Sequence, residues 1–276
     1  MTYHWNPVDE GFWNGDSQDP LGSSLLPWHS SLIEAHPRFS LPRGSMDREG
    51  MIPKTVFNED EALERYLQVL TSHLGAIPSD LEKGLCLGVE VFILSEECGN
   101  SPGTIKRVWQ HSLKTGYMAA LISKSQCVAQ HMIWQAFVGG LLHDIGMLVF
   151  LTQQPEVFMT VVDIAQCQGQ DLATIEKHIL GTTHAESGAM FLARWGIDKE
   201  LLTIVRSHDE PFLVPHADFS SLTAVYAANL LEGGGIAQDG DGVVGCSGET
   251  YLTRLGLWDD LPIWQGWMRD LHHLPV

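Results

Sequence analysis

The residues best suited to chemistry are His143 and Asp144, which stand side by side in the apolar run AFVGGLLHDIGMLVFL at residues 136–151. Two ionisable neighbours in such a run lose their hydration when the chain folds, so they need partners inside the protein. An imidazole nitrogen and a carboxylate oxygen are suitable ligands for a divalent cation. A hydrogen-bonded core pair without a metal accounts for the two residues equally well, so the pair alone leaves both interpretations open.

Three other histidines stand where they could join this pair. His111 lies on a second, partly buried face of its helix rather than among the lysines of the wet face. His184 stands at the start of a predicted helix and His208 at the end of another, where polar groups gather around cavities as readily as at surfaces. A lone histidine in such a place is usually an ordinary hydrogen-bonded residue, so each is weak evidence by itself.

Asn229 is a sharper signal because it falls on the apolar stripe of its helix, three residues after Tyr226 and four after Val225. A buried amide at such a position must reach a hydrogen-bond partner. We therefore expect a polar cavity on the inward side of this helix.

The elements that position these residues are predicted to be helices. After Leu74, apolar residues recur every three or four positions, and Gly, Pro or capping residues mark the breaks. Thr183 and Glu186 predict a capping box that opens one helix, and Asp198 predicts the N-cap of the next. The fold class is therefore all-α, and residues 232–248, which are rich in Gly and Asp, are predicted to form a loop.

The first part of the chain has a different character. Up to about residue 53 it is rich in Pro, Gly, Ser and isolated aromatic residues, which is typical of irregular chain. Residues 58–74 predict an amphipathic helix with Asn58 as its candidate N-cap. We therefore expect an irregular extension with one amphipathic helix at residues 1–72 and a helical domain at residues 73–276.

Composition excludes several functional classes. The formal net charge of −18, from 34 acidic and 16 basic residues, repels phosphate backbones, so no nucleic-acid partner is expected. The five cysteines are odd in number and form no CxxC pair, which argues against a disulfide framework or a thiolate zinc site. No export signal is apparent, and the apolar run at residues 136–151 is too short and too polar at its middle to span a membrane. These features predict a cytoplasmic protein without membrane association.

The motifs together carry a resemblance to a known family. They are WQHS at residues 109–112, GLLHDIG at 140–146, Glu176, HAESGAMFLARW at 184–195, SHDEP at 207–211 and the helix of Asn229. From residue 74 to the C-terminus, this order resembles the HD superfamily and more narrowly its HD-related output domain, HDOD. The resemblance implies an HD-domain-like helical bundle and a role in bacterial signal transduction. The Leu-Pro start and asparagine–serine motif of a typical HDOD domain are not recognisable in residues 1–72.

The same resemblance implies a metal site. Catalytic HD enzymes hold a metal with a first histidine, the adjacent His-Asp and a distant aspartate, and the cyclic-dinucleotide phosphodiesterases hold a second metal with further histidines. The cation would be iron, manganese, zinc or magnesium. Carried over by position, the implied ligands are His111, His143, Asp144, Asn229, His184 and His208. His184, His208 and Asp144 are also the candidates for a catalytic role, although none is assigned one.

Four departures from the catalytic pattern bear on function. Asn229 replaces an anionic ligand by a neutral amide, Met147 stands where the phosphodiesterases have lysine, Asp209 stands where they have a second histidine, and their GYP segment is absent. Loss of one carboxylate weakens a metal site.

These departures favour a regulatory output module that acts through signalling proteins, with little or no catalysis. The alternative is a metal-dependent phosphohydrolase or phosphodiesterase acting on a nucleotide or cyclic dinucleotide. A third interpretation is that the cavity binds a nucleotide without cleaving it.

Overall fold

The computed structural model describes residues 61–98, 102–215, 218–233 and 246–272. Secondary structure in these residues is helical and contains no strand, which confirms the all-α prediction. Two 3-10 turns lie at Pro211–Leu213 and Trp258–Asp260. The α-helices in chain order are α1 Glu61–Leu74, α2 Ser79–Cys98, α3 Pro102–Ser125, α4 Gln130–Leu142, α5 Ile145–Gln153, α6 Pro155–Gln168, α7 Leu172–Ile179, α8 His184–Arg194, α9 Lys199–Ser207, α10 Ser221–Glu232, α11 Cys246–Arg254 and α12 Leu261–His272.

The described helices belong to one compact unit. The predicted irregular chain before residue 61, the Asn58 N-cap and residues 234–245 of the predicted loop lie outside the described residues. The division of the chain at residues 72/73 therefore stays a prediction.

The core is centred on α4, whose side chains are buried from Ile133 to Leu142. Helix α3 crosses α4 closely at a pair of glycines. A Cβ atom on Gly116 would lie 2.6 Å from the carbonyl oxygen of Phe137, and one on Gly140 would lie 2.6 Å from the Cα atom of Gly116. Because neither glycine carries a side chain, the two backbones touch. This contact fixes the end of α4 against α3, the helix that carries His111.

The composition of the apolar run at residues 136–151 predicts a single buried helix, but the structure divides this run between two helices. Helix α4 ends at Leu142 and α5 begins at Ile145, so His143 and Asp144 form the junction, with Asp144 at φ −98° and ψ 14°. Residues Gln130–Gln153 span 24 residues, their most apolar 18-residue stretch has a mean hydropathy of 1.4, and by length and composition they could cross a membrane. Their most apolar stretch is completely buried in the protein, as in the core helix of a globular fold.

Helix α8 begins where the sequence predicted. The Thr183 hydroxyl accepts a hydrogen bond from the backbone N–H of Glu186, and the Glu186 carboxylate accepts one from the N–H of Thr183. A left-handed Gly196 (φ 66°) follows its C-terminal end. Asp198 caps α9, also as predicted. These caps place His184 as the first residue of α8.

Helix α10 runs further than predicted. The sequence placed Glu232 in the loop, but it is the last residue of α10, and Gly233 with φ 96° ends the helix. The wrong prediction came from the glycines that follow Glu232, since a left-handed glycine belongs just after a helix end. As part of the helix, the Glu232 carboxylate lies on the same side as Asn229.

Candidate metal centre

Four histidine side chains converge on the carboxylate of Asp144. Each is almost fully enclosed, with exposed fractions between 0% and 6%, and Asp144 is 3% exposed. Their facing atoms form two clusters in which each ligand atom lies within 4.8 Å of the others: His111, His143 and Asp144, and Asp144, His184 and His208. Asp144 belongs to both clusters, so its two oxygens join them into one centre.

The first cluster lies between the α4–α5 junction and helices α3 and α10. The Nε2 atom of His111 lies 3.2 Å from Nε2 of His143 and 3.0 Å from Oδ1 of Asn229. Oδ2 of Asp144 lies 3.2 Å from Nε2 of His143 and 3.6 Å from Nε2 of His111. The Asn229 amide thus reaches a partner in a polar cavity, as the sequence predicted.

The second cluster lies between the same junction, the start of α8 and the end of α9. The Nε2 atoms of His184 and His208 are 3.3 Å apart, and they lie 3.5 and 3.6 Å from Oδ1 of Asp144. Asp209 faces both imidazoles, with Oδ2 at 3.4 Å from His184 and Oδ1 at 3.2 Å from His208.

In each of the four histidines of the centre, the other ring nitrogen, Nδ1, donates a hydrogen bond. Nδ1 of His111 donates to Glu232 at 2.9 Å, and Nδ1 of His184 donates to Glu176 at 2.7 Å. The Nδ1 atoms of His143 and His208 donate to the carbonyl oxygens of Gly140 and Val205 at 2.7 and 2.8 Å. Metal-ligating histidines are oriented in this way, with the far N–H donated to a carboxylate or carbonyl.

This arrangement fits a divalent cation. Because Nδ1 carries the proton in each ring, a neutral imidazole presents a lone pair at Nε2, and two such lone pairs face each other in each cluster. The contacts of 3.2 and 3.3 Å therefore require a positive centre between the nitrogens, either a proton or a metal ion. Imidazole and carboxylate together suit zinc, iron and manganese. The residues named from the sequence as metal ligands are thus brought together around one carboxylate.

The pKa shifts of His184, His111 and Asp144 also indicate that the clusters attract positive charge. Burial by itself would lower the pKa of His184, but the Glu176 and Asp209 carboxylates outweigh it and raise that pKa well above its usual value. Burial likewise opposes the net rise in the pKa of His111, which Glu232 and Asp144 cause. Burial would raise the pKa of Asp144, yet the facing imidazoles hold it far below the usual range. A charged carboxylate among imidazoles therefore attracts positive charge into both clusters.

Three carboxylates of the centre were not identified as site residues from the sequence. Glu176 was part of a motif without a role, Asp209 was only a departure from the family pattern, and Glu232 was placed in a loop. The adjacency of Asp209 to His208 and the helical spacing of Glu232, three residues after Asn229, were the available signals.

The centre has a partly exposed rim. The side chain of Asp209 is 34% exposed beside the second cluster. Near the first cluster, Lys114 is 22% exposed and its ammonium group lies 3.4 Å from Oε1 of Glu232. Asn229 is half-buried. Lys114 therefore places a positive charge at this rim.

Part of the chain is similar in sequence to known proteins. Residues 83–211 match the model of the HDOD domain family. Over 117 residues the chain is 31% identical to a protein of Treponema pallidum (strain Nichols) named "Uncharacterized protein", and the match covers 41% of this chain and 21% of the relative. The chain thus spans about a fifth of the length of that relative.

Two solved structures share the fold. An HDOD domain protein of Geobacter sulfurreducens, whose function is unknown, superposes with a TM-score of 0.54 at 17% identity, covering 96% of this chain and 97% of the other. A Shewanella amazonensis SB2B protein named "Putative phosphohydrolase" superposes with a TM-score of 0.51 at 17% identity, covering 82% and 85%. At such identities the likeness shows the fold alone. Residues 83–211, just under half of the chain, are thus similar to the HDOD domain family.

Proposed function

We propose that this chain is a metal-dependent phosphohydrolase and that the side chains around Asp144 would hold its divalent cations. The observation that carries the proposal is the convergence of four imidazole Nε2 atoms on the two oxygens of one buried carboxylate. The sequence favoured a regulatory module because Asn229 replaces a carboxylate. Asp209 supplies a carboxylate elsewhere in the same centre, so the total charge of the ligand set is kept.

The roles of the side chains follow from their positions. His111, His143 and Asn229 would hold one cation, His184 and His208 the other, and Asp144 both. A pair of divalent cations activates water and neutralises the charge of a phosphoryl group. Glu232 and Glu176 keep the His111 and His184 rings in the tautomer that presents Nε2 as a ligand. Lys114 supplies positive charge for a phosphate at the rim.

In the hydrolysis, a water oxygen forms a new P–O bond, the ester P–O bond breaks, and the leaving oxygen takes up a proton. The name of the Shewanella amazonensis protein, "Putative phosphohydrolase", agrees with this class of reaction. A nucleotide or cyclic dinucleotide is the proposed substrate class. The cytoplasm is the proposed compartment, because Cys86, Cys127 and Cys167 are free thiols, as in reducing surroundings.

The test is hydrolysis of bis-p-nitrophenyl phosphate and of a nucleotide panel by the full chain loaded with Mn²⁺ or Fe²⁺. We expect metal-dependent turnover that Asp144→Asn abolishes, while the control Asp163→Asn, at an exposed position of α6, leaves it unchanged. Metal-loaded protein that cleaves no phosphoester in the panel would contradict the proposal.

The second candidate is the regulatory output module, and the enclosure of the centre favours it. With the histidines only 0–6% exposed, a bound cation could stabilise a binding-competent shape without admitting a substrate to its surface. This candidate would act on bacterial signalling proteins, with or without a bound nucleotide. Calorimetry with a nucleotide panel separates the cases: binding without turnover, weakened by His208→Ala, supports the regulatory role.

A further inference from the structure

The two halves of the centre are chemically unequal. Subsite A consists of His111, His143 and Asn229, and subsite B consists of His184, His208 and Asp209, with Asp144 shared between them. Each subsite therefore offers two imidazoles and one oxygen of Asp144. They differ in the remaining oxygen donor, which is a neutral amide in subsite A and a carboxylate in subsite B.

Asp209 lies against both imidazoles of subsite B. Its two oxygens are divided between the imidazoles of subsite B, at 3.2 Å from His208 and 3.4 Å from His184. Both imidazoles also face Oδ1 of Asp144, at 3.6 and 3.5 Å. Subsite B is thus bounded by two nitrogens and two carboxylates, a set that satisfies a divalent cation with oxygen and nitrogen ligands.

The carboxylates behind the histidines, Glu232 and Glu176, increase the difference in negative charge between the two subsites. Glu232, behind His111 of subsite A, also lies 3.4 Å from the ammonium group of Lys114, which offsets part of its charge. Glu176, behind His184 of subsite B, is completely buried, and its Oε1 atom has no hydrogen-bond partner among the described residues. Its negative charge is not offset by any ion pair to a lysine or arginine in the described part of the chain. The facing carboxylate of Asp209 and the outer carboxylate of Glu176 therefore both make subsite B more negative than subsite A.

We propose that Asp209 is a metal ligand and that subsite B takes up its cation first and more tightly than subsite A. This inference rests on the proposed function, since it assumes that the centre binds cations. Because one full ligand charge separates the subsites, the chain would hold one cation at low metal concentration and two at higher concentration. Hydrolysis that needs both cations would then depend on the filling of subsite A, the subsite with the neutral amide.

The experiment is a Mn²⁺ titration of chelator-treated full chain, followed by calorimetry and by the electron paramagnetic resonance signal of free Mn²⁺. Wild type should bind two ions in two steps, with dissociation constants at least about tenfold apart. Asp209→Asn should weaken the tight step by about 100-fold and leave two weak steps. The converse variant Asn229→Asp should strengthen the weak step by about tenfold or more. Glu210→Gln, at the exposed neighbouring position, is the control and should leave both steps unchanged.

The outcomes separate this inference from the proposed function. Absence of any Mn²⁺ binding by folded wild type would overturn the metal centre and, with it, the inference. Two equal steps in wild type, or a tight step that survives in Asp209→Asn, would overturn the inference alone. If Asp209→Asn loses the far-ultraviolet circular dichroism of the wild type, Asn229→Asp decides: an unchanged weak step overturns the inference, and a strengthened one supports it.

Discussion

Gly146, the second residue of α5, holds the His143–Asp144 junction against the start of α8. A Cβ atom at this position would overlap the carbonyl oxygen of His184, and it would lie 2.7 Å from the carbonyl carbon of His184 and 2.9 Å from the backbone nitrogen of Gly188. All three are backbone atoms, which cannot rotate away as a side chain does. Ordinary van der Waals contact would require α5 and α8 to separate by about 1.5 Å.

We therefore expect Gly146→Ala to be strongly destabilising. Overpacking costs about 1–3 kcal/mol, and the rigid backbone on the far side places this substitution at about 3 kcal/mol or above. The separation would also carry His184 away from Asp144. At present Nε2 of His184 lies 3.5 Å from Oδ1 of Asp144. Because a metal site tolerates displacements of only about 0.5 Å, Mn²⁺ affinity should fall together with stability.

The assay is urea unfolding followed by circular dichroism, with a Mn²⁺ titration of the same samples. The matched control is Gly103→Ala, because Gly103 is an exposed helical glycine with no atom within 4 Å of its would-be Cβ atom. Alanine there should leave the free energy of unfolding unchanged or raise it by up to about 1 kcal/mol. Equal urea midpoints and equal Mn²⁺ affinity for the two variants would refute the packing argument.

Three further predictions concern the metal, the core and a cap. Removal of bound cation by a chelator should lower the melting temperature, since a ligand at 100 times its dissociation constant stabilises the fold by about 2.7 kcal/mol; an unchanged melting temperature would contradict a loaded centre. Leu142→Ala, at a fully buried position, should lower the free energy of unfolding by about 2–5 kcal/mol, whereas Leu213→Ala, 58% exposed, should change it by under about 0.5 kcal/mol. The pKa of Glu186 is lowered although its burial acts in the opposite direction, because Lys177 and the backbone N–H of Thr183 favour the charged form. The stabilising contribution of the Glu186 carboxylate is therefore complete above about pH 4.5 and is lost as the pH falls through the lower folded pKa. The difference in free energy of unfolding between wild type and Glu186→Gln should therefore disappear in acid. Urea unfolding from pH 7 to pH 2 measures this difference.

Much of the local structure was predictable because it depends on neighbours in sequence. The Thr183–Glu186 capping box and the Asp198 cap are contacts across two or three residues, so residue type and spacing suffice to predict them. The break at His143–Asp144 was not predictable in this way. Apolar periodicity continues on both sides of the junction, and the bend is set by what the two side chains meet in neighbouring helices.

The sequence by itself determined the all-α fold class and the starts of α8 and α9, and it singled out four histidines and Asp144 as candidate site residues. The resemblance to the HDOD family connected these residues before any distance was known. Only the tertiary structure decided that the Asp144 carboxylate joins two clusters and that Asp209, Glu176 and Glu232 belong to the centre. The physical reason is that the centre is assembled by close helix crossings at Gly116, Gly140 and Gly146, where residues far apart in sequence are brought within 4 Å. Sequence spacing shows which face of a helix a side chain occupies, whereas the partner of that face is set by the packing.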